Sequence, residues 1–169
     1  MSALDRTVSA LDGFAEWTGR AISWLTLALA LTGFLVVVMR YAFNSGWIWM
    51  QESQTWMHAV VFMLGAAYTL KHDEQVRVDV IYRGLSDRRR AFIDLTGTVL
   101  FLLPLCGYIF YESLPYLLSS WSVGERSREA SGLPALYLLK AILPLMAALL
   151  IVQGLAQILR SLTILRRVG

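Results

Sequence analysis

Residues 24–39, WLTLALALTGFLVVVM, contain no charge and no proline. With its apolar flanks this run extends from Ala21 to Phe43. As a helix rising 1.5 Å per residue, such a segment is about 35 Å long and crosses a hydrocarbon core about 30 Å thick. The run therefore reads as a transmembrane helix.

Three further runs share that length and character. The second begins at Ile48 and passes through TWMHAVVFMLGAAYTL to Leu70. The third runs from Ala91 to Leu118 around TVLFLLPLCGYIFY. The fourth runs from Leu133 to Leu159 through ALYLLKAILPLMAALLIVQGLAQIL. Pro104 and Pro144 fall inside the last two, where membrane helices tolerate proline with a kink. The expected fold is an all-α integral membrane protein with four transmembrane helices, and residues 1–169 form one membrane domain. Composition agrees: of 169 residues 57% are hydrophobic and only 16% charged, with a mean hydropathy of +0.56. Asp5, Asp12 and Glu16 precede the first run, unlike the short basic lead of a secretory signal, so a retained first helix is expected. Leu4, Val8, Leu11, Ala15 and Ile22 recur at helical spacing and predict a short amphipathic lead-in over residues 1–20.

The basic residues set the expected orientation. Arg6 and Arg20 precede the first span. Lys71, Arg77, Arg83, Arg88, Arg89 and Arg90 fall between the second and third, and Arg160, Arg166 and Arg167 follow the fourth. The opposite side has Arg40, Arg126 and Arg128, so eleven basic groups stand against three, with Lys140 inside a span. The positive-inside rule then places both termini and the middle connection in the cytoplasm. In that connection, KHDEQVRVDVIYRGLSDRRRAF, Val76, Val80, Ile81 and Leu85 are spaced for one apolar side of an amphipathic helix lying at the interface. A solvated loop is the alternative.

Polar groups in or beside hydrocarbon need partners or water. Arg40 closes the first span, Gln51 and Glu52 open the second, Glu112 lies near the outer end of the third, and Lys140 lies about two turns inside the fourth. They read either as a charge layer that fixes helices or docks a partner, or as side chains snorkelling to the headgroups. Trp47, Trp49 and Trp56 read as an interfacial belt. His58 and His72, 14 residues apart on one helix, lie about 21 Å apart and cannot clamp one haem. His58 is expected as a hydrogen-bonded helix contact. Gln153 and Gln157 share a face and are expected to bond another helix. Cys106, the only cysteine, is expected as a packing residue. No nucleophile–base motif, metal-ligand spacing or phosphate loop is present, and no basic stretch fits nucleic acid. No cofactor is expected in this chain.

Taken in order, RYAFN (40–44), WMQE (49–52), FMLGAAYTLKHDEQVRVDV (62–80) and SWSVGERSREASGLPALYLLKAILPL (120–145) make the chain resemble the small membrane subunit of tripartite ATP-independent periplasmic (TRAP) transporters. Gln51-Glu52 stands where that family often has paired acids, and Gln75 where it often has a histidine. The resemblance implies a bacterial or archaeal inner-membrane complex. A periplasmic substrate-binding protein delivers a small organic acid to a large multi-span subunit driven by sodium, with the sodium ions in that large subunit. The small subunit braces its scaffold, with membrane lipids filling gaps. Arg40, Asn44 and Glu52, with Glu125, Arg126, Ser127 and Glu129, carry over as partner-interface candidates. Gln51, Glu112 and Lys140 join them from the residue-level reading. The sequence around WMHAVVFMLGAAYTL leans towards carboxylates such as 2-oxo acids. The competing readings are an independent four-helix exporter, a class that needs a membrane-buried acid in an early helix where the first span here has none, and the membrane anchor of a redox enzyme.

Overall fold

The computed structural model describes residues 3–72, 74, 82 and 84–167; the side chains of residues 3–11, 14 and 167 fall outside that description. The interfacial helix expected around Val76, Val80 and Ile81 lies outside the described residues. All the described elements are helical: α1 Ala3–Ala42, α2 Ile48–Lys71, α3 Asp87–Ser122 and α4 Leu136–Arg167.

The lead-in and the first span form a single helix of 40 residues, because nothing between them breaks the backbone ladder. Asn44 ends α1. Its φ of 48° lies in the left-handed region, which asparagine tolerates better than most residues, and the Ser45 N–H turns back to the Met39 carbonyl at 2.9 Å. This gives the asparagine of RYAFN a structural role. Trp47 is extended, and its carbonyl accepts from the N–H groups of Met50 and Gln51, which starts α2.

In α3, Pro104 has no N–H and would clash with the carbonyl four residues back in a regular helix. The chain accommodates it with a π-helical turn over Thr98–Leu102, in which the Leu103 N–H reaches the Thr98 carbonyl. α3 begins at Asp87, four residues before the expected start of the span. α4 begins at Leu136 rather than Leu133, because Leu133 is held in the preceding loop by a bond to Glu52.

The four helices run alternately up and down. Asp12 near the start of α1 meets Gln153 and Arg160 in the second half of α4, so the beginning of α1 and the end of α4 lie at one end of the bundle. α4 is the hub. It packs against α1, α2 and α3, whereas α3 packs extensively only on α4. Accordingly 39% of the apolar window of α4 is buried, against 11% for α3 and none for α1. Ala147 and Ala156 of α4 are completely buried, since small residues let helix backbones approach. α1, α3 and α4 are long and apolar enough to cross a membrane. α2 is a fourth helix of 24 residues, more polar through Gln51, Glu52, Gln54 and His58.

Candidate functional site

Glu52 lies in the second turn of α2 and points into the loop between α3 and α4. One carboxylate oxygen accepts from the Ser127 hydroxyl, and the other accepts from the Leu133 N–H at 2.6 Å. The Ser127 oxygen also accepts from the Glu129 N–H at 3.2 Å, while the Ser127 N–H donates to the Leu133 carbonyl. The loop thus closes around a single carboxylate. Gly132 is required there, because a Cβ would overlap the Ser127 side chain and come within 2.8 Å of Glu52.

Glu125, in the same loop, pairs with Lys140 of α4, and its carbonyl accepts from the Leu136 N–H at 2.8 Å. The Lys140 ammonium also lies 4.0 Å from the Tyr116 ring centroid, a cation–π contact to α3. Lys140 therefore has an internal partner. The hydrogen bond from Lys140 holds the Glu125 carboxyl below its usual value of 4.5, against an opposing push from burial. A depressed carboxyl contributes stability above its unfolded pKa and loses it as pH falls through the folded value. The gap in melting temperature between the wild type and Glu125→Gln is thus expected to hold steady from pH 7 down to about 4.5 and to close below that. A pH series of melting curves reads this directly.

The opposite end of the bundle has its own clamp. The Glu16 carboxylate of α1 receives Lys71 at 2.7 Å, His72 at 2.9 Å and Arg20 at 3.0 Å, which joins α1 to the end of α2. Asp12 accepts from Gln153 at 3.2 Å and faces Arg160 at 3.6 Å, which joins α1 to α4. Gly19 lets α2 come close, since a Cβ there would overlap the Tyr68 ring. Sequence reasoning used Asp12 and Glu16 only to argue against a signal peptide. The available signal was their spacing of four, which puts both acids on one helical face opposite basic helix ends.

Of the sequence-derived candidates, the structure joins Glu52 to Ser127 and Glu125 to Lys140. Arg40, Glu112, Arg126 and Glu129 are exposed, and Gln51 is half-buried in the first turn of α2. Gln153 makes its expected bond to another helix, and Cys106 is buried. His58 departs from expectation. It is exposed on α2 and stacks on Phe62 at 6.1 Å, because α1 and α4 occupy the other faces of that helix. Beside the Glu125–Lys140 pair, a crevice of about 290 Å³ among α2, α3 and α4 is lined by Ala59, Met63, Leu136, Leu139 and Leu143 together with Tyr116 and Lys140. Among the described residues no group of His, Cys, Asp or Glu is arranged to hold a metal ion.

The family profile described as "Tripartite ATP-independent periplasmic transporters, DctQ component" matches residues 17–164. The chain belongs to the DctQ family. A relative within reach of direct comparison is the C4-dicarboxylate TRAP transporter small permease protein DctQ of Vibrio cholerae serotype O1. It is 29% identical over 101 residues, which are 60% of this chain and 40% of the relative. The matched stretch thus spans less than half of that relative's length. No solved structure matches the chain. Both clamps except Asp12 and Glu16 fall within the DctQ match, so the loop closed around Glu52 belongs to the family region.

Proposed function

We propose that this DctQ-family chain is the small, non-catalytic membrane subunit of a TRAP transporter and braces the scaffold of a large sodium-coupled subunit. A periplasmic binding protein would deliver the cargo, a small organic acid. The C4-dicarboxylate in the name of the Vibrio relative and the 2-oxo-acid lean of the sequence both favour a carboxylate. The observation that carries this reading is where the polar groups go. Those that pair within the chain tie helices together at the two ends of the bundle, and the crevice among α2, α3 and α4 is lined mainly by apolar side chains. A carrier needs polar groups and broken helices near the midplane to hold its cargo. A brace needs fixed helices and a free flank, and α1 and α3 leave long apolar faces uncovered.

In this reading α2 is the fourth span. Its 24 residues reach about 36 Å, with Trp47 and Trp49 at one end and Lys71 at the other. Both termini face the cytoplasm of the inner membrane, as the eleven-to-three bias of basic residues favours.

The test is reconstitution in liposomes. With the large subunit and the binding protein, a sodium gradient is expected to drive uptake of an organic acid. The chain by itself is expected to move none. Solute accumulation by the chain alone would overturn the proposal, as would failure to co-purify with the large subunit in mild detergent.

A further inference from the structure

One face of α3 remains open after the bundle has formed. Cys106, Ser113 and Ser120, seven residues apart, are buried on the side that packs on α4. The opposite side exposes Gly107, Tyr108, Tyr111, Glu112 and Pro115, with Tyr108 and Tyr111 at 65% and 71%. Glu112 has no ion pair or side-chain hydrogen bond among the described residues.

Its depth makes that costly. Tryptophan favours the membrane–water interface, so Trp121, whose ring packs on Tyr137 in the first turn of α4 with centroids 4.6 Å apart, sets the level of the outer rim in this reading. Asp94 is 27 residues earlier, about 40 Å away, which is the thickness of a bilayer with its headgroups. Glu112 is nine residues below Trp121, about 14 Å inside that rim. A glutamate side chain is much shorter than that, so it does not reach the headgroups from there. An ionisable group at this level calls for a partner within the membrane.

The neighbouring residues fit a helix as that partner. Gly107 sits five residues before Glu112, about 140° around the helix and so at the other edge of the open side, with Tyr108 and Tyr111 between them, and a Cβ there would meet nothing in this chain. An interior glycine weakens a helix relative to alanine, and small residues let a second membrane helix approach closely. The exposed face of α1 differs. Trp24, Leu27, Leu31, Phe34 and Val37 form an uncharged surface suited to acyl chains.

We propose that the open side of α3, bordered by Gly107 and Glu112 with Tyr108 and Tyr111 between them, is the surface that binds the large membrane subunit, through a partner helix with a basic side chain level with Glu112. This rests on the subunit reading given above. Charge complementarity selects that occupant over lipid, whose acyl chains offer Glu112 nothing at this depth.

The test uses the whole transporter, purified through a tag on the large subunit. A photoreactive benzoylphenylalanine replaces Tyr111 in one variant and Phe34 in another. Tyr111 is expected to cross-link to the large subunit and Phe34 to lipid. Glu112→Lys is expected to lower recovery of this chain by about tenfold, with Glu112→Gln between it and the wild type. Gly107→Leu is expected to lower recovery too, and the isolated variants should melt as the wild type does, which separates lost docking from lost folding. Adducts from Phe34 but not Tyr111, a Tyr111 adduct joining two copies of this chain, or wild-type recovery of Glu112→Lys would each overturn the proposal. If the unaltered chain fails to co-purify, the subunit reading falls as well, and that outcome is distinct from loss confined to the variants.

Discussion

Glu52→Ala is expected to melt about 10 °C below the wild type, from a loss of roughly 3 kcal/mol. The reasoning is a count of what the carboxylate leaves behind. The Ser127 hydroxyl and the Leu133 N–H both lose their acceptor, in a region that is partly buried. Each unsatisfied donor there costs about 1–3 kcal/mol. The loop of residues 123–135 then loses what closes it, although Glu125 still pairs with Lys140. Trypsin gives a second measurement, because Arg126 and Arg128 lie in this loop and are exposed. The alanine variant should be cut there much faster than the wild type, with sites elsewhere little changed. Glu52→Gln keeps an oxygen for the Leu133 N–H and should fall between the two. Wild-type melting and cleavage in Glu52→Ala would mean that the loop holds itself without α2.

Gly154→Leu is expected to have a comparable effect through packing. Gly154 faces the π-helical turn of α3, and a Cβ there would come within 2.6 Å of Leu102 Cδ2 and 3.4 Å of Leu103 and Thr98. Alanine requires only that the Leu102 side chain rotate away. Leucine has nowhere to go without pushing α3 off α4, and overpacking of this kind costs about 1–3 kcal/mol or more. Because α3 has its extensive contact with α4 alone, no second interface holds it in place. Melting curves should rank the wild type above Gly154→Ala, and Gly154→Ala well above Gly154→Leu. A leucine variant as stable as the alanine one would show that α3 is free to shift.

These residues also mark what the sequence disclosed. Helix content and extent were legible because apolar length is a property of local sequence. α2 ends within a residue of its expected boundary, and α1, α3 and α4 contain the expected apolar cores. The partners of Glu52 and Glu125 were not legible, because Glu52–Ser127 spans 75 positions and no local pattern encodes it. Glu52 was expected to fix helices or to meet a partner, and its carboxylate bonds the loop between α3 and α4. Asp12 and Glu16 looked like surface acids, since their cations lie on α2 and α4. The glycines gave a sign that was there to be read. Gly19 and Gly154 interrupt otherwise good helix formers, and each sits where another element presses against the backbone.

The position of α4 at the centre of the bundle has a bearing on biogenesis. The ribosome makes α4 after α1, α2 and α3. Before it emerges, α1 and α2 have only each other, and α3 has no extensive partner to lean on. The nascent chain therefore waits, half-assembled, for α4, and Lys140 completes the lock on the loop between α3 and α4 only once that helix has been made.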